Sequence, residues 1–187
     1  MELDNAIKKR RSVRKYSSKK VSMNYIAEIC DSARYAPMAG NIFSLKLIIV
    51  SDNDKKKKIA DACFEQKFIA DASCLIVVCS DENLVVKSYE DAGKTFVRQQ
   101  AGAAIENMLL KITSLGLSSC WIGAFDEKAL KKILEIPEKI QIEAVLPVAY
   151  ASDKTNEKKK PELKMITFFD KWNQKEFKST KTGIEEE

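Results

Sequence analysis

The chain has 187 residues, 45% of them hydrophobic and 32% charged, with 32 Lys and Arg against 27 Asp and Glu and a formal net charge of +5. That apolar content suits one core that buries roughly 70% of the unfolded surface, and it is too little for two ordinary domains. With no His in the chain, a Ser-His-Asp hydrolase and a His-ligated zinc enzyme are excluded, and difficult chemistry falls to a bound cofactor.

Asp4 is placed to cap a short helix that ends in the basic run 8–11, with a loop over 12–20 behind it. Ser22 caps a second helix, in which Ile26, Ile29, Cys30 and Ala33 recur at the spacing of one buried stripe until Pro37 and Gly40 stop it. The run 45–50 is rich in Ile, Leu and Val and reads as a buried strand, followed by a charged helix over about 54–64 and a second buried strand over 72–79. The longest element is a helix over about 91–115, whose Ala101, Ala104, Ile105, Met108, Leu109 and Ile112 mark it as central and buried. Gly116 sits where a left-handed cap ends it. A third strand is expected over 119–125, a short helix capped by Asp126 to 134, and a fourth strand over 140–150.

Beyond these lies a Lys-rich polar linker over 152–162, then Met165, Ile166, Phe168, Phe169 and Trp172, which need something to pack against. One domain over 1–177 with a disordered tail over 178–187 is the expected organisation. The Lys runs 55–58 and 158–160 read as solvated faces, so no nucleic-acid partner is expected. Five cysteines (Cys30, Cys63, Cys74, Cys79, Cys120) show no C-x-x-C pair and an odd total, which fits a reducing compartment. The first residues lack an apolar signal core and no run approaches ~18 apolar residues, so a cytoplasmic protein without membrane contact is expected.

Three segments carry candidate chemistry. Arg10, Arg11, Ser12 and Arg14 gather guanidinium forks and a hydroxyl that match phosphate oxygens, although a solvated basic loop would look the same. In the loop 36–41, Pro37, Met38, Ala39, Gly40 and Asn41 would let backbone approach a flat ligand, or make a plain helix stop and turn. Gly123, inside the expected third strand, marks close approach of a ligand or a bulge.

In their order, R-R-S-V-R at 10–14, A-P-M-A-G-N at 36–41, A-A-I-E-N-M-L-L at 103–110 and G-L-S-S-C-W-I-G-A-F at 116–125, these motifs resemble the nitroreductase family over about residues 1–172. The resemblance implies an α+β fold: a three-layer α-β-α sandwich with a mixed, mostly antiparallel sheet. It also implies a homodimer whose C-terminal segment, 165–172, wraps the partner subunit, with an FMN in each interface cleft and NADH or NADPH as co-substrate. Carried over by position, Arg10, Ser12 and Arg14 would hold the FMN phosphate and ribityl chain, with Arg11 beside them. Pro37, Met38, Ala39 and Asn41 would line the flavin from the partner subunit. Ile122, Gly123 and Ala124 would run along the isoalloxazine ring, with a backbone N–H near its N5, and Lys160 would add a cation near the phosphate.

Against the usual family pattern, Met38 stands for Ser, Phe43-Ser44-Leu45 for Q-P-W, Ser118 for Gly and Gln100 for Asp. The region 82–95, where larger members insert covering helices, is short, so an open, permissive pocket is expected. The implied reaction passes two electrons from NAD(P)H through FMN to a nitroaromatic, a quinone or a similar acceptor. Flavin reduction, reductive dehalogenation, a flavin-binding protein without turnover and a flavin-free basic adaptor are the alternatives.

Overall fold

The strand β2 (Cys74–Asp81) is buried along its whole length up to Asp81. A strand apolar on both faces needs cover on both sides. In the computed structural model, which describes residues 1–153 and 159–176, β2 is the middle of an antiparallel sheet with β1 (Leu45–Val50) on one side and β3 (Ile140–Val148) on the other.

Alternation along the strands divides the core in two. Cys74, Ile76 and Val78 with Ala144, Leu146 and Val148 face α2 (Met23–Ser32) and α4 (Asn83–Ser114) through Ile26, Ile29, Ala101, Ala104, Ile105 and Met108. Leu75, Val77 and Cys79 with Val145 face α3 (Asn53–Ala62) and α5 (Glu127–Leu134) through Ile59 and Leu130. The layers are therefore helix, sheet, helix, the α+β sandwich that the resemblance implies.

Local chemistry sets most of the boundaries. The side chains of Ser22, Asp52 and Asp126 accept from the backbone N–H groups of Asn24, Lys55 and Ala129 and cap α2, α3 and α5. Gly116 adopts φ 72°. It closes α4 with bonds from Gly116 N to Thr113 O and Leu117 N to Ile112 O, both 3.0 Å, the pairing that satisfies the last carbonyls of a helix.

Two expectations need correction. Asp4 does not cap α1 (Leu3–Lys9): the helix begins at Leu3, and Asp4 sits in its first turn, where it still complements the helix dipole. The third strand over 119–125 is not a continuous strand but a set of isolated bridges along the free edge of β3, Ser118 to Ala149 and Ile122 to Val145. The register of these bridges sets Cys120 opposite Pro147, which has no N–H to give, so the ladder is broken in its middle.

The long helix also extends further than the pattern indicates. It starts at Asn83 and is broken at Glu90 (φ 49°, ψ −135°), so the expected helix from 91 is its second arm.

The described residues 159–176 belong to a second compact unit. It contains α6 (Leu163–Ile166) and a tilted Phe168–Trp172 ring pair at 4.7 Å, over which Lys175 places its ammonium 4.0 Å from the Phe168 ring. Leu163, Met165, Ile166 and Trp172 stay largely exposed, Trp172 at 80%. The tail expected over 178–187 lies outside the described residues.

Lys56 in α3 is only 2% exposed, and its ammonium donates to the Ala72 carbonyl at 2.6 Å. Burial, and after it Lys20, hold its pKa below the ordinary 10.5. Between the lowered folded value and 10.5 the unfolded chain binds more protons, so this contribution to stability grows as pH rises. Lys56→Met should keep the packing of the stem, unfold in urea at an equal or higher midpoint, and lose that part of the pH dependence. A midpoint lowered by more than about 1 kcal/mol of stability would show that the ammonium–carbonyl bond outweighs the burial of the charge.

Candidate functional site

The joint between the N-terminal loop and the edge segment 118–122 is made by backbone. Val13 N donates to Ser119 O at 2.8 Å, and Ser12 and Ser119 form a parallel bridge, the one parallel pairing among the described residues. The loop is braced from behind: the Tyr16 hydroxyl donates to Val13 O at 2.7 Å, and Ser17 N donates to Tyr150 O at 2.9 Å. Arg10, Ser12 and Arg14 are thereby tied to the segment that leads from Ser119 toward Ile122, Gly123 and Ala124.

One face of α4 runs under this joint. Arg10 leaves the end of α1 and places Nε 3.2 Å from Glu106 Oε1. One turn earlier, a methyl at Gly102 would meet only the Trp121 ring, at 3.9 Å, and one turn earlier again Arg98 pairs with Glu143. Residues four apart share a helix face, so Glu106, Gly102 and Arg98 form a row about 12 Å long.

Arg14 is exposed and has no hydrogen bond or ion pair among the described residues. Arg11 behaves differently: it turns back to donate to the carbonyls of Lys8 and, at 2.8 Å, Arg10. One nitrogen of its fork thus closes the end of α1.

The fit of a flat, phosphorylated ligand can be tested on these residues. A Cβ at Gly123 would meet nothing nearer than Trp121 Nε1 at 3.8 Å, so no protein atom explains the glycine and the space above it is open. The Ser119 hydroxyl is buried without a hydrogen-bond partner among the described residues. An unsatisfied buried hydroxyl costs about 1–3 kcal/mol unless something polar completes it. The open space at Gly123 suits a flat ligand laid along 122–124, whereas the Ser119 hydroxyl lies sealed beneath the surface.

The loop 36–41 is held elsewhere on α4. Gly40 and Asn41 both adopt φ 56°, a tight left-handed pair that leaves the Asn41 side chain exposed. Gln100 fixes the loop at both ends: its Oε1 accepts from Ala39 N at 3.1 Å, and its Nε2 donates to the buried Ser44 Oγ at 2.6 Å. The two departures Gln100 and Ser44 are therefore partners of each other. Pro37, Met38 and Ala39 wall a cleft of about 350 Å³ with Phe96, Gln99, Gln100 and Ala103.

Gln100 precedes Glu106 by six residues, about 9 Å along the helix. The chain therefore ties the basic loop to Ser119 and anchors 37–41 through Gln100, on the same helix that carries Glu106. Lys160 is exposed in the second unit.

The sequence pattern does not single out Trp121, Glu106 or the cluster in which Glu143 receives bonds from Ser80 Oγ and Arg98. A signal for the last existed: Glu143 is the single charge in β3, and it sits at the bulge where the register shifts between Val78 and Cys79.

No thiol here is set up as a nucleophile. Burial raises Cys63 and Cys79 to about 12 and Cys74 to about 11. Cys120 is also raised by burial, an effect opposed by Arg14 and by a hydrogen bond with Ser12. Among the described residues no His, Cys, Asp and Glu group could hold a metal, and no helix is long and apolar enough to cross a membrane.

Comparison with known proteins agrees with this geometry. The model of the nitroreductase family matches residues 7–150. A protein of Archaeoglobus fulgidus with NADH dehydrogenase/NAD(P)H nitroreductase in its name is 36% identical over 148 residues, covering 77% of this chain and 82% of its own. The FMN reductase [NAD(P)H] of Bacillus subtilis is 26% identical over 176 residues, covering 87% of this chain and 70% of its own. The crystal structure of a nitroreductase family protein from Clostridium novyi NT superposes with a TM-score of 0.76 at 27% identity, over 93% of this chain and 96% of that one.

Proposed function

The chain belongs to the nitroreductase family, and from that membership we propose that it is an FMN-dependent oxidoreductase that passes two electrons from NADH or NADPH to an electron-poor acceptor such as a nitroaromatic or a quinone. The observation that supports this reading is the backbone joint of Ser12 and Val13 to Ser119, which ties the basic loop to the segment leading into Gly123, where the space is open.

Arg10, Ser12 and Arg14 bind the phosphate and ribityl chain by charge-assisted and hydroxyl hydrogen bonds. Arg11 shapes the loop from the end of α1. Ile122, Gly123 and Ala124 line the ring with backbone, so that their N–H groups can polarise it.

Bound FMN supplies the hydride and two-electron chemistry. The chain's own contribution is to position the reactants, exclude water and hold fixed dipoles around the site. With no His and no activated thiol, the proton that completes the product comes from solvent.

Pro37, Met38, Ala39 and Asn41 serve the flavin of a second copy in a homodimer. The exposed apolar side chains of residues 163–172 support a segment that wraps the partner.

Two outcomes test the reading. Arg10→Ala or Arg14→Ala should weaken FMN binding by about 1.5–3 kcal/mol in a fluorescence titration, the usual worth of a hydrogen bond to a charged group. Undiminished binding in both variants would reduce 10–14 to a solvated basic loop.

The chain has no G-x-G-x-x-G after a strand, so NAD(P)H and acceptor take turns at one face of the site. Double-reciprocal plots with both substrates varied should give parallel lines; converging lines together with a ternary complex would require a second site.

A further inference from the structure

The short arm of α4, residues 83–89, is built as a fixed cap. At Glu90 the backbone takes φ 49° and ψ −135°, a conformation that side-chain-bearing residues rarely hold unless their surroundings impose it. The arm there folds back on the main helix so closely that a Cβ at Gly93 would lie 2.8 Å from Val86 Cα and 2.9 Å from the Val85 carbonyl. Val85 is fully buried beneath it, and Glu82 at its base lies 3.9 Å from Arg98, which Glu143 also holds.

The tip of this arm is Tyr89. Its ring meets Phe96 edge to face at 5.2 Å and 81°. Its hydroxyl stands 2.6 Å from the position a Cβ at Gly40 would occupy. Phe96 is one wall of the 350 Å³ cleft, and Ala39, next to Gly40, is the other. Tyr89 thus packs on Phe96, which lines the cleft, and on Gly40, the neighbour of its lining residue Ala39, while remaining 37% exposed, and its hydroxyl makes no hydrogen bond among the described residues. A core-filling tyrosine would be buried with its hydroxyl satisfied; this one is an end stop.

We infer that Tyr89 is the specificity-determining residue of the acceptor pocket, limiting how far a flat electron-poor ring system stacked against the Phe96 wall can extend. The inference rests on the reading in which Pro37 to Asn41 line the flavin, because that places the cleft beside the reacting ring. The cleft has room for more than one ring, so what Tyr89 sets is how far a flat ring system can extend past Phe96 toward Gly40.

The test compares kcat/KM for a fused-ring quinone with that for a single-ring quinone of similar reduction potential, on FMN-loaded full-length protein. Tyr89→Ala should raise the fused-to-single-ring ratio by about tenfold, the scale on which a pocket discriminates by size. Tyr89→Phe should leave the ratio unchanged, and Tyr89→Trp, which extends the stop, should lower it. FMN content and thermal unfolding identify the variants that are intact. If Tyr89→Ala loses its FMN, Tyr89→Trp decides the matter alone. An unmoved ratio in an intact Ala or Trp variant overturns the inference while leaving the proposed function standing. A wild-type protein that binds no flavin overturns the functional reading, and this inference with it.

Discussion

The hydrogen bond from Val13 N to Ser119 O, with the Ser12–Ser119 bridge beside it, is the constraint on which the site depends. Neither partner segment has regular structure of its own: 10–17 is a loop, and 118–122 is an edge segment tied to β3 at two points. Each is made definite by the other and by β3. The basic side chains of 10–14 keep a constant spacing from Ser119 because two peptide groups fix it, not because either segment is rigid alone. Tyr16 reinforces the joint from within the core, where burial keeps its phenol protonated and able to donate to Val13 O.

The second organising element is α4. Its row Arg98, Gly102, Glu106 meets, in order, the bulged Glu143, the Trp121 ring and Arg10. Its Gln100 holds the loop 39–44, and its broken first arm brings Tyr89 onto Gly40. A helix is a ruler of about 1.5 Å per residue, so a site distributed along it has its parts set at fixed separations. Displacing α4 by one turn would separate all of these contacts at once.

Much of this was legible in the sequence, for identifiable reasons. β1 was found with its bounds because an apolar run ends at a polar Asp–Asn pair, and α2 and α5 were found from Ser22 and Asp126, whose capping is local chemistry. The third strand was misjudged because apolar character over 119–125 says nothing about the opposite strand. Pro147, inside the expected fourth strand, did carry the warning that its N–H side could not support a full ladder. The direction of Arg11, the left-handed Glu90 and the stop at Tyr89 all depend on groups distant in sequence, and periodicity cannot report them. Gln100 and Ser44 looked like separate departures from a family pattern; only the 2.6 Å bond between them shows one change compensating for the other.

The central claim is that residues 10–14 form a phosphate site joined to a ring site by the Ser119 contact. Comparing the affinities of FMN and riboflavin for the flavin-free protein tests it most directly, since the two ligands share the ring and differ in the phosphate. Two charge-assisted contacts of about 1.5 kcal/mol each correspond to roughly hundredfold tighter binding of FMN, and that is the result the account predicts. Equal affinity for the two would contradict it, because the basic loop would then have no part in holding the cofactor.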